Sequence, residues 1–281
     1  MKIVRTVSEL RTIVRTWRRE GLRIGLVPTM GYLHDGHLSL VDGIRPRVDR
    51  VILTIFVNPT QFGPGEDLDA YPRDEARDLE KARTRAVDLV FIPGEGEMYP
   101  EGAETFVGLE RLPNHLCGLP RPVHFGGVAT IVAKLLVISE PHAAIFGEKD
   151  YQQLQVIRRM VRDLLMDVEI LGGATIREPD GLAMSSRNKY LTPRERAAAP
   201  AVRRSLLAAR DAVEGGEVDV AKLLSGIRTT IEDAGGRVDY AAVVDPETLE
   251  DLEGIDGAAH AAVAAFFGKA RLIDNLRLSN G

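Results

Sequence analysis

The sequence predicts an α/β fold, in which a parallel β-sheet carries helices on both faces and a smaller α+β domain follows. Short apolar, β-branched runs alternate with helical stretches over residues 1–176, and this alternation is typical of a parallel, Rossmann-like sheet. The composition changes after Asn188, where two helical stretches precede three strand-like runs. We therefore expect a Rossmann-like domain over residues 1–176 and a small α+β domain over residues 177–281.

Strands of the first domain are expected where apolar and β-branched residues cluster, and helices where apolar residues recur at helical spacing. The expected strands cover residues 1–5, 23–27, 50–57, 88–92, 143–146 and 168–171. The first helix carries Leu10, Ile13, Val14 and Trp17, with Ser8 as its expected cap. Later helices are expected over residues 38–48, 73–85, 125–138 and 150–165. Ligands of such sheets bind beyond the carboxyl ends of the strands, so we expect a site in the loops that follow them.

The second domain opens with a predicted helix over residues 192–213, which begins at the favourable dipeptide Thr192-Pro193. Another helix is expected over residues 218–234 and is ended by Gly235-Gly236. Three strands are expected to follow, over residues 238–244, 259–267 and 270–276. This order of helices and strands indicates an α+β arrangement.

The bulk composition argues against several classes of protein. The chain of 281 residues is 44% hydrophobic, enough for a sizeable core, and its net charge of -5 without a basic cluster disfavours nucleic-acid binding. It has no run of about 18 apolar residues and no apolar leader, so we expect no membrane partner and a cytoplasmic location. The single cysteine, Cys117, excludes an internal disulfide, and its neighbours Leu116 and Leu119 favour a small buried hydrophobe.

The most informative motif is His34-Asp35-Gly36-His37, which follows a predicted strand and opens a helix. A helix N-terminus carries exposed N–H groups and a partial positive charge, which suits an anion, and Gly36 lets a ligand approach the backbone. Two alternatives stay open. The histidines can belong to a helix cap, or they can bind a metal, although no nearby residue convincingly supplies the third ligand of a zinc site.

A second motif places amides at the end of a strand. Asn58 and Gln61 follow the run over residues 50–57. Amides both donate and accept hydrogen bonds, which suits a substrate with hydroxyl and carboxylate groups. An Asn-Pro turn is the simpler interpretation of Asn58-Pro59 taken alone.

Two further segments carry groups that suit a polyphosphate. Lys149 can neutralise a phosphate and Asp150 can hold a hydrated Mg²⁺, although both also fit an ordinary helix start. Ser185, Ser186 and Arg187 offer hydroxyls and a guanidinium at the domain junction, although this loop also fits a flexible linker. Together with the histidines, these groups indicate an enzyme that attacks the α-phosphate of ATP, by forming an adenylate or transferring a nucleotide. A non-catalytic nucleotide sensor is the rival from another class, and the substrate stays open.

Seven segments, in order along nearly the whole chain, resemble the pantothenate synthetase (pantoate–β-alanine ligase) family. They are residues 27–31, 34–37, 56–62, 71–73, 146–154, 181–188 and 271–275. The resemblance implies the nucleotidyltransferase-like α/β superfamily. It also implies the ATP-dependent condensation of pantoate with β-alanine through a pantoyl-adenylate intermediate, with release of AMP and pyrophosphate. Ala270 departs from the family pattern, which commonly has Thr there, and this concerns the packing of the small domain.

The resemblance further implies a role for each matching residue. Catalysis falls to His34, His37, Lys149 and Arg187. ATP is bound by Pro28, Thr29, Met30, His37, Gly147, Lys149, Asp150, Ile176, Met184, Ser185, Ser186 and Arg187. Pantoate is bound by Met30, Gln61 and Gln153, β-alanine by Asn58 and Gln61, and Mg²⁺ by Asp150, while Arg121 and His124 approach the same cleft. The family is dimeric and its C-terminal domain is a lid, so we expect a homodimer with a C-terminal lid domain. We expect the protein to act on small molecules, without nucleic-acid or membrane partners.

Overall fold

The computed structural model of the chain describes residues 1–66 and 68–280. The chain divides into two compact units. The first comprises Met1–Pro113, Pro120–Glu148 and Gln153–Ala174, and the second comprises Asn114–Leu119, Lys149–Gln152 and Thr175–Gly281. Two short internal segments therefore pack with the C-terminal part of the chain.

The first unit is built on a six-stranded sheet in which every neighbouring pair of strands is parallel. Its strands are β1 (Lys2–Val4), β2 (Ile24–Thr29), β3 (Arg50–Ile55), β4 (Leu89–Phe91), β5 (Ala143–Gly147) and β6 (Glu169–Gly173), in the order β1-β4-β3-β2-β5-β6. Each strand lies on a predicted run, so the prediction of a parallel sheet is confirmed.

Helices cover both faces of this sheet, as the sequence predicts. They are α1 (Val7–Arg19), α2 (Asp35–Ile44), α3 (Glu75–Thr84), α4 (Glu95–Met98), α5 (His124–Ser139) and α6 (Tyr151–Asp163). Val27 and Leu53 of the sheet pack with Val41 of α2 and Leu79 of α3. Alternate side chains such as Leu26 point to the opposite face, where α1 and α5 contact β2 and each other. Within residues 1–66 and 68–280, every helix is too short or too polar to cross a membrane.

The N-terminus of α1 differs from the prediction, because Thr6 and not Ser8 caps the helix. The Thr6 hydroxyl accepts a hydrogen bond from the Glu9 N–H at 3.2 Å, and the Glu9 carboxylate accepts one from the Thr6 N–H at 3.0 Å. This reciprocal pair is a capping box. Ser8 lies two residues too late for it, since a capping box needs an acidic or amide residue three positions after the cap.

The loop after β2 is held by a buried carboxylate that the sequence analysis did not single out. Asp78 of α3 is 1% exposed and accepts hydrogen bonds from the N–H groups of Tyr32 and Leu33, at 2.7 and 2.6 Å. Burial raises the pKa of Asp78, although the two N–H donors act against that rise. Gly31 has φ +84, and a Cβ atom there would lie 2.9 Å from Ile55 and 3.0 Å from the Asp78 carboxylate. The loop therefore requires both a glycine and this carboxylate.

We expect Asp78→Ala to lower the free energy of unfolding by about 2 kcal/mol, because it leaves two backbone N–H donors without their acceptor. Urea denaturation of the variant and the parent would measure the difference. Glu80→Ala, at an exposed position on the same helix, is the matched control and should change stability by less than about 0.5 kcal/mol. Equal effects from the two substitutions would contradict this role for Asp78.

The second unit is an α+β structure with a three-stranded antiparallel sheet. Its elements are α7 (Pro193–Ala198), α8 (Ala201–Glu214), α9 (Val220–Asp233), β7 (Arg237–Val244), β8 (Ala258–Phe267) and β9 (Ala270–Asn280). Val243, Val263 and Leu272 of the sheet pack with Leu206 of α8 and Ile227 of α9. Successive side chains of a strand point to opposite faces, so β8 presents His260, Ala262 and Ala264 to the other side.

The single helix predicted over residues 192–213 is wrong, because it is broken into α7 and α8. Pro200 precedes α8 and has no N–H to donate to the carbonyl group four residues earlier. The predicted start at Thr192-Pro193 is confirmed, since the Thr192 hydroxyl accepts a hydrogen bond from the Glu195 N–H. The threonine cap thus follows from the local sequence, and Pro200 accounts for the break between α7 and α8.

The prediction that Cys117 is a small buried hydrophobe is also wrong. Its Sγ lies 3.2 Å from the Tyr240 hydroxyl and 3.7 Å from two nitrogens of the Arg271 guanidinium. The guanidinium also donates to Asp239, and burial raises the pKa of Tyr240 well above its usual range. The apolar sequence neighbours of Cys117 did not reveal this polar setting, because it comes from strands more than a hundred residues away.

Candidate active site

The centre of the parallel sheet is where ligand-binding loops are expected. From β2 the chain order runs one way through β3 and β4, and on the other side of β2 it continues with β5 and β6. Strand order thus reverses between β2 and β5, and crevices beyond the carboxyl ends of strands at such a point bind ligands. The loop after β2 carries the His34–His37 motif, and β5 ends at Gly147.

His34 and His37 form the N-terminal cap of α2. The His34 Nδ1 atom accepts a hydrogen bond from the Gly36 N–H at 3.2 Å, and the His37 Nδ1 atom accepts one from the His34 N–H at 3.3 Å. The ring centroids are 4.1 Å apart. Because both Nδ1 atoms act as acceptors, each ring carries its proton on Nε2. The two hydrogen bonds that cap α2 therefore also orient both imidazoles and keep the rings side by side.

This arrangement uses two of the backbone N–H groups at the helix N-terminus that were expected to suit an anion. The Gly36 N–H is taken by the His34 ring and the His37 N–H by the His34 carbonyl, at 2.8 Å. A Cβ atom on Gly36 would lie 2.9 Å from the His34 ring, so the glycine makes room for that ring. These two N–H groups of the first turn are therefore occupied within the helix, and the same hydrogen bonds orient the imidazoles.

The predicted amides after β3 come together with Met30. The Gln61 Nε2 atom donates to the Met30 sulfur at 3.2 Å, and the Gln61 Oε1 atom accepts from Asn58 Nδ2 at 3.2 Å. Asn58 is 1% exposed, and its Nδ2 atom also donates to the Gly127 carbonyl at 3.1 Å. Its Oδ1 atom accepts from Tyr99 and Thr60. Asn58 is thus a buried hub that holds Gln61 in position.

Tyr99 and Gly127 belong to this cluster, and the sequence analysis missed both. The Tyr99 hydroxyl donates to Asn58 at 2.7 Å, and burial raises its pKa. A Cβ atom on Gly127 would lie 2.4 Å from the Thr60 carbonyl oxygen, so only glycine lets α5 approach this turn. In the sequence, Tyr99 lies in an irregular segment and Gly127 lies inside an apolar helix. Neither pattern indicates a contact with Asn58 or Thr60.

The other predicted residues of the first unit have simpler surroundings. Pro28 and Thr29 lie in β2, where the Thr29 hydroxyl donates to the Thr54 carbonyl at 2.7 Å. A Cβ atom on Gly147 would meet nothing within 4 Å, so the backbone there is open to approach. Gln153 is partly buried in the first turn of α6.

Arg121 and His124, which the resemblance places near the cleft, have different partners. Arg121 donates two hydrogen bonds to the Glu66 carboxylate, at 2.7 and 2.8 Å, and this lowers the pKa of Glu66. The His124 Nδ1 atom lies 3.0 Å from the Gln61 carbonyl oxygen. His124 therefore contacts a predicted site residue, while the charge of Arg121 is paired.

In the second unit, the backbone of Lys149 is anchored by the small sheet. Its carbonyl oxygen accepts a hydrogen bond from Asn275 Nδ2 of β9 at 2.9 Å. The Lys149 side chain is 20% exposed and its Nζ atom lies 3.9 Å from the Asp150 carboxylate, which is 50% exposed. Lys149 thus combines an anchored backbone with a side chain that reaches solvent, and the Asp150 carboxylate beside it is half-exposed.

The segment from Ile176 to Asn188 contains several hydrogen bonds between its own residues. The Met184 N–H donates to the Ile176 carbonyl at 2.9 Å. The Ser185 hydroxyl accepts from the Arg187 N–H at 3.2 Å, and Asn188 Nδ2 donates to the Ala183 carbonyl at 3.1 Å. Ser186 begins the short 3₁₀ helix Ser186–Tyr190 that follows. The hydroxyls and the guanidinium are therefore presented by a hydrogen-bonded frame.

Lys149 and Ser185 are brought together at a small cavity of about 10 Å³, room for a single water molecule. It is also lined by Arg203 and Asp274. Asp274 is 3% exposed and receives two hydrogen bonds from Arg177, at 2.6 and 3.0 Å. The Arg203 Nη1 atom is buried and has no hydrogen-bond partner in the part of the chain that the structure describes. Positive charge exceeds negative charge here, which favours an anion nearby.

Among the described residues, no group of three or more His, Cys, Asp or Glu side chains is arranged to hold a metal ion. A site built wholly from protein ligands is thus not seen in residues 1–66 and 68–280. A Mg²⁺ ion carried by a nucleotide has a smaller requirement, since it binds one or two carboxylates, water and phosphate oxygens. The half-exposed carboxylate of Asp150 fits that donor set.

Comparison with known proteins identifies relatives over almost the full length. A family model described as pantoate-beta-alanine ligase matches residues 2–277. Pantothenate synthetase from Syntrophobacter fumaroxidans is 53% identical over 277 residues, which cover 98% of this chain and 98% of that protein. Pantothenate synthetase from Desulfatibacillum aliphaticivorans is 54% identical over 276 residues, with the same coverage.

Solved structures are similar over the same extent. Pantothenate synthetase from Thermus thermophilus has a TM-score of 0.92 and 48% identity, and the match covers 99% of this chain and 100% of that one. Pantoate-beta-alanine ligase from Francisella tularensis, complexed with beta-gamma ATP and beta-alanine, has a TM-score of 0.82 and 33% identity. That match covers 100% of this chain and 99% of the other.

Proposed function

Because this chain belongs to the pantoate-beta-alanine ligase family, we propose that it works through a pantoyl-adenylate intermediate. The chain is a ligase, and the reaction of its family is the ATP-dependent condensation of pantoate with β-alanine. The observation that carries the proposal is the paired cap of His34 and His37, which puts both ring protons on Nε2. Two oriented N–H donors after β2 suit the transfer of an adenylyl group.

In the first step, an oxygen of the pantoate carboxylate attacks the α-phosphorus of ATP. The bond from that phosphorus to the bridging oxygen breaks, and pyrophosphate leaves. Two anions must approach each other, so the reaction needs donors and positive charge around the phosphates. We assign the α-phosphate oxygens to the Nε2–H groups of His34 and His37, where they stabilise the charge that develops in the transition state.

The leaving pyrophosphate is assigned to a set of cationic and hydroxyl groups. Lys149 and Arg187 supply charge, and Ser185 and Ser186 supply hydroxyl donors. The anchored Lys149 backbone and the hydrogen-bonded frame at Ser185 support this assignment. The rest of ATP is assigned to backbone and side-chain groups of the remaining predicted residues, which are Pro28, Thr29, Met30, Gly147, Ile176 and Met184.

Mg²⁺ is assigned to Asp150 together with the phosphates of ATP. When bound, it would neutralise part of the phosphate charge. The Asp150 carboxylate is half-exposed and lies 3.9 Å from the Lys149 ammonium, so both can serve the same polyphosphate. A complete metal site is not required of the protein, because the nucleotide supplies further oxygen ligands.

Pantoate is assigned to Met30, Gln61 and Gln153, and β-alanine to Asn58 and Gln61. The Gln61 amide can form hydrogen bonds with the hydroxyl and carboxylate groups of pantoate. The four polar contacts of the Asn58 side chain lie within the protein, so we propose that Asn58 serves the β-alanine site by orienting Gln61. In the second step, the free amine of β-alanine attacks the acyl carbon of the adenylate, AMP leaves, and the nitrogen releases a proton to water. No acyl-enzyme is needed.

Gln61→Ala should raise the KM for pantoate about ten- to a hundredfold, the usual cost of losing a hydrogen bond to a charged ligand. The KM for ATP should change little, which makes ATP the internal control. Steady-state kinetics with each substrate varied in turn would measure both values. Gln61→Glu should be worse than Gln61→Ala, because it brings a negative charge toward the pantoate carboxylate. A selective rise in the KM for ATP would reverse the assignment.

The proposed intermediate is tested by exchange of labelled pyrophosphate into ATP, with Mg²⁺ and without β-alanine. Exchange that requires pantoate would support the adenylate. A folded protein that binds ATP but shows no exchange would contradict the two-step reaction. The same result would favour a nucleotidyltransferase with another acceptor or a nucleotide sensor.

Three expectations about the whole protein are kept as proposals. We propose that it is a homodimer and that it acts in the cytoplasm on small molecules. We also keep the predicted division after residue 176, with residues 177–281 as a lid domain. Light scattering of the purified protein would measure its oligomeric state.

A further inference from the structure

His260 is a buried polar residue in a strand that is otherwise made of small and apolar side chains. It lies in β8, where Ala259, Ala261, Ala262 and Ala264 surround it in sequence, and it is 4% exposed. Its neighbours on the helix-facing side of the strand pack against α8 and α9, but His260 points to the other face. A buried imidazole costs solvation unless it forms specific contacts, so its contacts indicate what it does.

The first contact of His260 is with the segment that carries Lys149. Its ring stacks on the ring of Tyr151, with centroids 3.7 Å apart and an angle of 13° between the planes. The Tyr151 hydroxyl donates to the Pro246 carbonyl at 2.9 Å, which restrains the ring from its far end. Tyr151 follows Lys149 by two residues, so this stack restrains one end of the short segment Lys149–Gln152.

The second contact reaches Lys149 through Asn275. The His260 Nε2 atom lies 3.0 Å from Asn275 Oδ1, and Asn275 Nδ2 donates to the Lys149 carbonyl at 2.9 Å. Since the amide nitrogen donates to a carbonyl, the amide oxygen is the acceptor, and His260 Nε2 must carry the proton. A neutral ring with this tautomer leaves Nδ1 without a hydrogen, and Nδ1 has no partner among the described residues.

The ring is neutral under ordinary conditions. Burial lowers the pKa of His260 to about 4, and the nearby Arg277 acts in the same direction. The neutral form also suits the contacts, because a second ring proton would be buried on Nδ1 without an acceptor. His260 therefore serves as a fixed hydrogen-bond donor and stacking surface.

We propose that His260 is a positioning residue for Lys149, acting through the Asn275 amide and the Tyr151 ring. The inference rests on the phosphate role proposed for Lys149. A displaced cation stabilises a transition state less well, and a shift of about 1 Å in a reacting group costs about 10²-fold in rate. His260 should therefore affect adenylate formation and leave the attack of β-alanine on a preformed adenylate unchanged.

The test compares three replacements of His260 in pyrophosphate exchange with the full-length protein. Leucine removes the Nε2–H donor, and exchange should fall about ten- to a hundredfold. Glutamine can place an amide N–H near the position of Nε2, and exchange should stay within about threefold of the parent. Asparagine is polar but too short to reach Asn275, so exchange should fall as much as it does with leucine. This variant serves as the test if the leucine variant folds poorly.

Two further measurements distinguish a positioning role of His260 from a purely structural one. Val263→Ala removes buried volume from the same strand on its other face, and it should lower the melting temperature without slowing exchange. His260→Leu and Asn275→Ala should not be additive, because both break the same path to Lys149. Equal losses of exchange in His260→Leu and Val263→Ala, with no rescue by glutamine, would overturn the inference.

Lys149→Met separates the failure of this inference from the failure of the proposed function. If exchange falls in Lys149→Met but not in His260→Leu, the positioning role is wrong and the phosphate role stands. Normal exchange in Lys149→Met would overturn the phosphate role, and the inference would fall with it. A loss in the amine step from synthetic pantoyl adenylate, equal to the loss in exchange, would also overturn the inference.

Discussion

Replacing Lys149 with methionine is expected to slow pantoate-dependent pyrophosphate exchange about 10²–10³-fold, the usual loss for one donor to a transition state. Methionine is similar in length to lysine but carries no charge. The contact that anchors residue 149 uses its backbone carbonyl, so the Asn275 hydrogen bond should survive the substitution. The loss should therefore come from the missing ammonium group and not from a displaced chain.

Lys222→Met is the matched control for this prediction, because Lys222 is 68% exposed in the same unit and lies in the first turn of α9. Its rate of exchange should equal that of the parent. The melting temperature of both variants would be recorded to separate a loss of chemistry from a loss of fold. Exchange within a few fold of the parent in Lys149→Met would rule out the phosphate role.

Replacing His37 should produce a loss of the same order, but only when the Nε2–H group is lost. His37→Asn keeps an acceptor near the position of Nδ1, where the His34 N–H donates, and it removes the distal N–H. We expect its exchange to fall about 10²–10³-fold. His37→Gln keeps both a capping residue and a distal amide N–H, so its exchange should lie well above that of the asparagine variant.

The same pair of variants separates catalysis from capping. Both should keep melting temperatures close to the parent, since Asn and Gln can each accept the hydrogen bond from the cap. If the two variants lose exchange equally and melt at the same lowered temperature, His37 acts only as part of the cap. The proposed contact with the α-phosphate would then be wrong.

Local patterns predicted the architecture well, because they reflect burial along a single element. The apolar runs predicted each strand of the parallel sheet to within a few residues, as at β3 and β5. Spacing between apolar residues predicted α1 and α6, and a proline after threonine marked the start of α7. The predictions failed where a local signal was misjudged, as at Ser8 and at the break before α8.

The motifs also identified which residues belong together within a unit, but not how they are arranged. His34 and His37 are neighbours in sequence, and a shared helix turn was enough to predict that they act together. Their capping geometry was open, because the same sequence is compatible with a cap, a metal site and an anion site. Only the observed hydrogen bonds identify Nδ1 as the acceptor in both rings.

The sequence by itself determined the fold class and the order of the elements, since these follow from composition and periodicity, and its motifs predicted which residues carry the chemistry. Only the tertiary structure decided which distant groups hold them. Asp78 binds the loop after β2 from a position 45 residues further along the chain, and Asn275 anchors Lys149 across 126 residues. Periodicity records which face of an element is buried, but it carries no distance between elements. Contacts of this kind exist only once packing has brought the elements together.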